Sequence, residues 1–131
     1  MTREIEVVAA LIRDEAGRYL VTRRLEGKHL EGKWEFPGGK REPDETLEES
    51  LRRELEEELG ATFEVGGLVE TVRWPYPELT VALHFYRCRV RAGTIAPREG
   101  QLMQWVAPAD LHRYDFPPAD ATLLARLQTE G

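Results

Sequence analysis

The sequence contains a single cysteine, Cys88, so no disulfide bond can form within the 131-residue chain. Nothing in the cysteine content therefore points to an oxidising compartment. Cys88 lies inside an alternating apolar segment. At such a position we expect a small residue that fills space in the core rather than a reactive thiol.

Long hydrophobic runs are also missing. The longest, from Val7 to Ile12, is far shorter than the roughly 20 residues that a helix needs to cross a bilayer. The first residues, Met1 to Glu4, lack the layout of a signal peptide. We therefore expect a cytoplasmic protein with no membrane partner.

The chain has no excess of positive charge. It carries 18 Lys and Arg against 24 Asp and Glu, a net charge of −6, which argues against a nucleic-acid polymer as the main partner. A small phosphorylated ligand stays possible, because a bound divalent metal can reverse the local field. The whole excess lies between Arg41 and Gly60, where nine acidic residues accompany three basic ones.

The residues that are present predict one domain over 1–131 with an α/β or α+β fold. Apolar alternation favours extended segments joined by turns rich in glycine, proline and aspartate. The first two segments, with a turn at 14–17 between them, are expected to form a hairpin. The predicted strands are Ile5–Arg13, Tyr19–Thr22, Phe63–Val65, Leu68–Arg73, Leu79–Val90 and Gln101–Val106.

One helix is strongly indicated after Thr46. Thr46 and Glu49 have the spacing of a capping box, and Gly60 supplies a left-handed stop. A leucine at every fourth position from Leu47 to Leu59 forms an apolar stripe that faces a core. A second helix is predicted at Ala121–Gln128, with Leu123, Leu124 and Leu127 inward.

Three carboxylates converge beside the leucine stripe of the helix that follows Thr46. Glu54 and Glu58 lie one helical turn apart, and Glu57 is their neighbour. A solvated face that pairs with nearby arginines is one explanation, but like charges at this spacing destabilise a helix and favour a compensating cation. Hard divalent cations bind carboxylate and carbonyl oxygens, and Gly38-Gly39 could supply carbonyls or a close approach to phosphate.

The spacing of this region resembles the Nudix box: Gly39, five residues, Glu45, seven residues, then Arg53 to Ala61. The resemblance extends over most of the chain to the MutT-type nucleoside triphosphate pyrophosphohydrolases. Residues 34–40 resemble the segment that leads into their box, Arg24 resembles a basic residue after their second strand, and residues 115–120 resemble their base-pocket segment.

The resemblance implies a Nudix α/β/α sandwich with a mixed central sheet and a reaction that depends on Mg²⁺, for which Mn²⁺ can substitute. Arg53 would orient the box glutamates and Glu45 would brace the loop, with Glu54 as the first choice of general base and Glu99 as the second. Glu99 could equally be a plain surface acid. The implied metal ligands are Gly38, Gly39, Glu54, Glu57, Glu58 and Glu99, and the implied substrate contacts are Arg24, Phe36, Lys40 and Asp120.

The implied reaction converts a nucleoside triphosphate and water to a monophosphate and pyrophosphate. The favoured substrate is an oxidised purine nucleotide such as 8-oxo-dGTP; CTP or a modified dCTP is the alternative, and a nucleoside-diphosphate-linked compound is less favoured. A non-catalytic nucleotide-binding module is disfavoured because the box carboxylates are intact. The protein would act as a monomer or a homodimer.

Two features of the base pocket are left open by the sequence. Bacterial MutT enzymes resemble residues 115–119 but end this segment in Asn, whereas this chain has Asp120, which could read the base or cap the final helix. The aromatic segment 74–77 could form a wall for a base or close the core.

Overall fold

The computed structural model describes residues 3–23 and 32–130. Seven strands and two α-helices lie in these ranges, with 3-10 turns at Pro108–Arg113 and Pro118–Asp120. In chain order the elements are β1 (Arg3–Ile12), β2 (Tyr19–Arg23), β3 (Trp34–Glu35), β4 (Gly38–Lys40), α1 (Leu47–Leu59), β5 (Thr62–Pro75), β6 (Leu79–Ala92), β7 (Leu102–Val106) and α2 (Ala121–Glu130).

Strand β1 is the centre of a mixed sheet with the order β4-β1-β6-β5. It pairs in parallel with β6, from Arg3 opposite Leu79 to Ile12 opposite Cys88, and antiparallel with β4. A second, antiparallel sheet has the order β3-β2-β7. The expected mixed sheet is confirmed.

The side chains of β1 alternate between two cores, because successive residues of a strand point to opposite faces. Val8 and Ile12 pack with the leucines of α1, whereas Ala9 and Leu11 pack with Leu123 and Leu127 of α2. One α-helix therefore covers each side of the sheet, as the α/β/α expectation required.

The local signals around α1 are confirmed. The Thr46 hydroxyl accepts from the Glu49 N–H at 3.1 Å, and the Glu49 carboxylate accepts from the Thr46 N–H at 2.8 Å. Gly60 ends the helix in a left-handed conformation with φ 71°. Leu51, Leu55 and Leu59 are fully buried, while Leu47 is partly buried at the edge of the same core.

The predicted hairpin between the first two strands is wrong in its pairing. The turn at 14–17 forms, but only Arg13 and Tyr19 bridge across it. Strand β2 instead pairs with β3 and β7 in the second sheet. Its side chains face both cores, since Leu20 packs on the α1 side and Val21 on the α2 side, so pairing with β3 and β7 places apolar residues of β2 in both cores.

Two other expectations concern single features. Cys88 is buried in the core on the α1 side, its Sγ donates to the Tyr86 carbonyl, and burial raises its thiol pKa to about 12, which fits a core residue.

The two strands predicted at 63–65 and 68–73 form the single strand β5, with irregular register around Gly66 and Gly67. Across the described ranges, neither helix has the length and apolar character needed to span a membrane.

Candidate active site

Two cavities meet at strand β4. The larger, of about 480 Å³, is lined mostly by polar and charged residues and is here called the acidic cavity. The smaller, of about 180 Å³, is mainly apolar and is here called the apolar cavity. Both are lined by Val7, Glu35, Gly38 and Gly39, so they share one wall.

The acidic cavity gathers carboxylates from distant parts of the chain. Glu54 and Glu58 come from α1, and Glu99 comes from the loop between β6 and β7. Lys40 lines the same cavity from β4. Glu57 is not among the described residues that line it; its side chain is 48% exposed.

Glu58 is the most buried of these carboxylates, with 8% of its surface exposed. Burial raises its pKa to about 9, and the negative charges of Glu35, Glu54 and Glu99 act in the same direction. The Gly38 N–H donates to it and opposes this shift, but Glu58 Oε2 has no hydrogen-bond partner in the described part of the chain. Such an oxygen is costly to bury unless another group satisfies it.

Arg53 organises the box residues through a fork of hydrogen bonds. Its Nε and Nη2 donate to the two carboxylate oxygens of Glu45 at 2.6 and 2.9 Å. Its Nη1 donates to Glu54 Oε1 and to Glu57 Oε1, each at 3.1 Å. The hydrogen bonds from Arg53 lower the pKa of Glu45 to about 2. This geometry fits the orienting role expected of Arg53 and the bracing role expected of Glu45.

Glu54 experiences opposing influences. Partial burial raises the pKa of its carboxyl group, Arg53 lowers it, and the charges of Glu57 and Glu99 raise it again, with a net upward shift. Gly39 lies against this carboxylate so closely that a Cβ at residue 39 would stand 2.7 Å from Glu54 Oε1 and would overlap Oε2. The absence of a side chain at Gly39 therefore allows the Glu54 carboxylate to occupy its place.

The loop that carries Glu99 is held against the end of α1. The Arg98 N–H and the Gln101 side-chain amide both donate to the Glu58 carbonyl at 2.9 Å. The Glu99 N–H donates to Gln101 Oε1 at 3.0 Å. These contacts place Glu99, which is exposed to solvent, among the residues that line the acidic cavity.

The acidic cavity fits a hard divalent cation by its donor set. Within residues 3–23 and 32–130, no three acidic, histidine or cysteine side chains are already grouped closely enough to hold a metal ion. The cavity nevertheless combines several carboxylates with an unpartnered buried oxygen of Glu58. A divalent cation would compensate this charge and would share its remaining positions with carbonyl or phosphate oxygens.

The apolar cavity contains the two other expected substrate contacts. Phe36 is 3% exposed and packs edge-to-face on Tyr19 and Phe85. Asp120 is 4% exposed and ends the 3-10 turn that leads into α2. Burial, and then the charge of Glu35, raise the pKa of Asp120 to about 7. Asp120 lines the apolar cavity at the point where α2 begins.

Trp74 and Tyr76 line the apolar cavity from the end of β5 and the turn that follows. The Tyr76 N–H donates to the Leu79 carbonyl at 2.7 Å, which closes the turn into β6. Of the two explanations for this aromatic segment, its position favours a wall beside a bound ring.

One predicted site residue is not described by the structure, and three residues that line the cavities were not predicted from the sequence. Arg24 lies outside the described residues. Glu35 borders both cavities, and Arg23 and Gln101 line the acidic one, but none was a predicted site residue. The only available signal for Glu35 was its place next to Phe36 in the segment that leads into the box.

Comparisons of the sequence and of the structure with known proteins all point to the same family. The NUDIX domain model matches residues 8–126. An 8-oxo-dGTP diphosphatase of Haemophilus influenzae is 41% identical over 96% of this chain and 93% of that protein. A CTP pyrophosphohydrolase of Escherichia coli is 38% identical over 92% and 88%. The crystal structure of a MutT protein from Methanosarcina mazei superposes with a TM-score of 0.85, at 32% identity over 98% and 96%. The chain therefore belongs to the Nudix domain family.

Proposed function

We propose that this chain is a metal-dependent nucleoside triphosphate pyrophosphohydrolase that acts best on an oxidised purine nucleotide such as 8-oxo-dGTP. The observation that carries the proposal is the shared wall of the two cavities at Gly38 and Gly39. A triphosphate needs the cations and donors of a polar site, whereas a base needs an apolar slot. The name of the H. influenzae relative, 8-oxo-dGTP diphosphatase, supports the choice of substrate.

Nudix hydrolases generally need a divalent metal, and we propose Mg²⁺ here, with Mn²⁺ as a substitute. Glu54, Glu58 and Glu99 would hold it, together with the carbonyl of Gly38 or Gly39. Glu57 is a further proposed ligand, because it lies beside Glu58 on α1 and shares Arg53 with Glu54. When bound, the metal neutralises phosphate oxygens and lowers the pKa of water.

The side chains around this site would divide the remaining work. Glu54 is the proposed general base, since its carboxylate lines the acidic cavity where the attacking water would stand, and Glu99, which lines the same cavity, is the second choice. Arg53 holds Glu54 in place by the hydrogen bond from Nη1. Lys40, with Arg24, would contact the phosphates, and Lys40 does line the acidic cavity. In this scheme water attacks the β-phosphorus and loses its proton to the base, the bond from that phosphorus to the oxygen bridging the α- and β-phosphates breaks, and the nucleoside monophosphate leaves with the bridging oxygen.

In the apolar cavity, Phe36 would contact the base and Asp120 would select it. An ionised Asp120 only accepts hydrogen bonds, so it favours a donating edge such as N1–H and the amine of guanine. With a pKa of about 7, the same group is also available protonated near neutrality and can then donate. An oxidised guanine, which offers both donors and acceptors, suits this mixed behaviour.

The second candidate substrate is CTP or a modified dCTP. The amine of cytosine is a donor that an ionised Asp120 can accept, and the E. coli relative with 38% identity is named CTP pyrophosphohydrolase. We further propose that residues 1–131 act as one domain, because β1 contributes to both cores.

The test is release of pyrophosphate from a nucleotide panel by the wild type, Asp120→Ala and Asp110→Ala. The panel contains 8-oxo-dGTP, dGTP, CTP and dCTP, each with Mg²⁺. We expect Asp120→Ala to lower kcat/KM for the best nucleotide about tenfold and to spare the poor ones. Asp110→Ala is the matched control, because Asp110 lies outside both cavities. No pyrophosphate from any nucleotide would refute the proposed function.

A further inference from the structure

The segment 96–101 covers the C-terminal end of α1. The last carbonyls of a helix have no partner within it. Here Ala96 N–H donates to the Leu59 carbonyl, and Arg98 N–H donates to the Glu58 carbonyl, both at 2.9 Å. Backbone groups of the segment therefore already give the Glu58 and Leu59 carbonyls a donor without any side chain.

Gln101 adds contacts that helix capping does not require. Its side chain is nearly buried, with 9% of the residue exposed. Nε2 donates to the Glu58 carbonyl, which also accepts from the Arg98 N–H, and Oε1 accepts from the Glu99 N–H. One amide thus joins the backbones of two residues whose carboxylates line the acidic cavity.

The bridge uses both halves of an amide side chain. The Glu58 carbonyl needs a donor and the Glu99 N–H needs an acceptor, and the Gln101 amide carries one of each. If residue 101 only filled buried space, an apolar side chain of the same length would do so without placing polar atoms that need hydrogen-bond partners. The two neighbours of Glu99 are held by other backbone bonds, from the Arg98 N–H to the Glu58 carbonyl and from the Gly100 N–H to the Pro97 carbonyl at 3.3 Å, whereas the N–H of Glu99 itself donates to Gln101.

We propose that Gln101 is a positioning residue that fixes the backbone of Glu99 relative to Glu58, and thereby holds the Glu99 carboxylate at the acidic cavity. The inference rests on the proposed function, since it assumes that Glu99 takes part in metal binding there. It assigns to a neutral side chain, whose hydrogen bonds go to backbone groups of Glu58 and Glu99, a measurable share of metal affinity.

The test compares Gln101→Met with Gln104→Met. The first change removes both hydrogen bonds and keeps the length of the side chain; the second makes the same replacement at an exposed position on β7. Binding of Mn²⁺ is measured by electron paramagnetic resonance, and hydrogen exchange is measured at the Glu99 amide. We expect Gln101→Met to weaken Mn²⁺ binding roughly 10- to 100-fold, the usual effect of losing a partner behind a ligand. Its Glu99 amide should exchange faster.

A double-mutant cycle separates positioning from stability. If Gln101 acts through Glu99, Gln101→Met should have little further effect on Mn²⁺ binding when Glu99 is already Gln. If Gln101 only supports the helix end, the two losses should multiply, and that result would overturn the proposal. Wild-type Mn²⁺ affinity in Gln101→Met would also overturn it.

A second variant covers the case in which Gln101→Met does not fold. Gln101→Asn keeps the amide but is one methylene shorter, so it reaches only one partner, and we expect a smaller loss of affinity in a folded protein. Failure of the proposed function can be told apart from failure of the Gln101 proposal. If only the proposed function is wrong, the wild type binds Mn²⁺ without releasing pyrophosphate, and the Mn²⁺ affinities of the wild type and Gln101→Met still decide the role of Gln101. A wild type that binds no Mn²⁺ would overturn both.

Discussion

Replacement of Gly39 by alanine should abolish most activity while leaving the fold intact. A Cβ at residue 39 would overlap Glu54 Oε2 and lie 2.7 Å from Oε1, far inside an ordinary contact of about 3.5 Å. The backbone is not the obstacle, because Gly39 is not one of the glycines with positive φ. The Glu54 carboxylate, at the end of a flexible side chain, must therefore move.

The size of the effect follows from this displacement. Restoring normal contact requires a shift of the carboxylate by about 1 Å, and a misplacement of that size can cost about 100-fold in rate. The free energy of unfolding should change by less than about 1 kcal/mol, since alanine is no worse than glycine in an extended segment. Activity and stability are thus expected to separate.

The assay is kcat/KM for pyrophosphate release, measured beside the thermal midpoint of unfolding. Gly67→Ala is the matched control, because no atom lies within 4 Å of its added Cβ, and it should retain wild-type activity. Gly38→Ala is the opposite case: its Cβ would overlap the Val8 carbonyl oxygen, a backbone atom that cannot move aside, so the protein should lose stability. Wild-type turnover by Gly39→Ala would refute the importance of the Glu54 position.

Three further predictions concern charge. Because the pKa of Asp120 is raised to about 7, its ionisation is disfavoured in the folded state, and stability falls as pH rises from about 4 to 7; Asp120→Asn should raise the thermal midpoint at pH 8 and not at pH 4, and an equal gain at both would contradict this. Since the pKa of Glu45 is lowered to about 2, its ionised carboxylate stabilises the folded state above pH 4.5, and this stabilisation is lost as the pH falls towards 2. Glu45→Gln should therefore have a lower thermal midpoint than the wild type at pH 7, and the difference between the two midpoints should shrink in thermal scans at acid pH. Glu57→Gln should lose roughly tenfold or more in rate while it remains folded, and excess EDTA should stop wild-type turnover; undiminished turnover in either case would exclude the metal assignment.

Local sequence patterns were sufficient for the helix that carries the box. The capping box of Thr46 and Glu49 and the left-handed Gly60 involve residues within a few positions of each other, so they can be identified without tertiary information. The placement of Glu54 and Glu58 on one side of α1 follows from the helical repeat in the same way.

Contacts between distant segments could not be inferred from these patterns. The hairpin prediction failed because the partners of β2, which are β3 and β7, are fixed by burial in two cores rather than by the turn at 14–17. Glu57 has the helical spacing of a ligand, but its contact with Arg53 depends on the loop that holds Glu45. Glu35 was missed because its place between two cavities arises only when β3 and β4 pack beside β1 and β2.

The most direct test of the central claim is the fate of oxygen when 8-oxo-dGTP is hydrolysed in ¹⁸O-water with Mg²⁺. Mass spectrometry of the products measures both the bond that breaks and the phosphorus that water attacks. The account predicts 8-oxo-dGMP and pyrophosphate, with the label in pyrophosphate. Orthophosphate as the primary product, or label in the monophosphate, would contradict it.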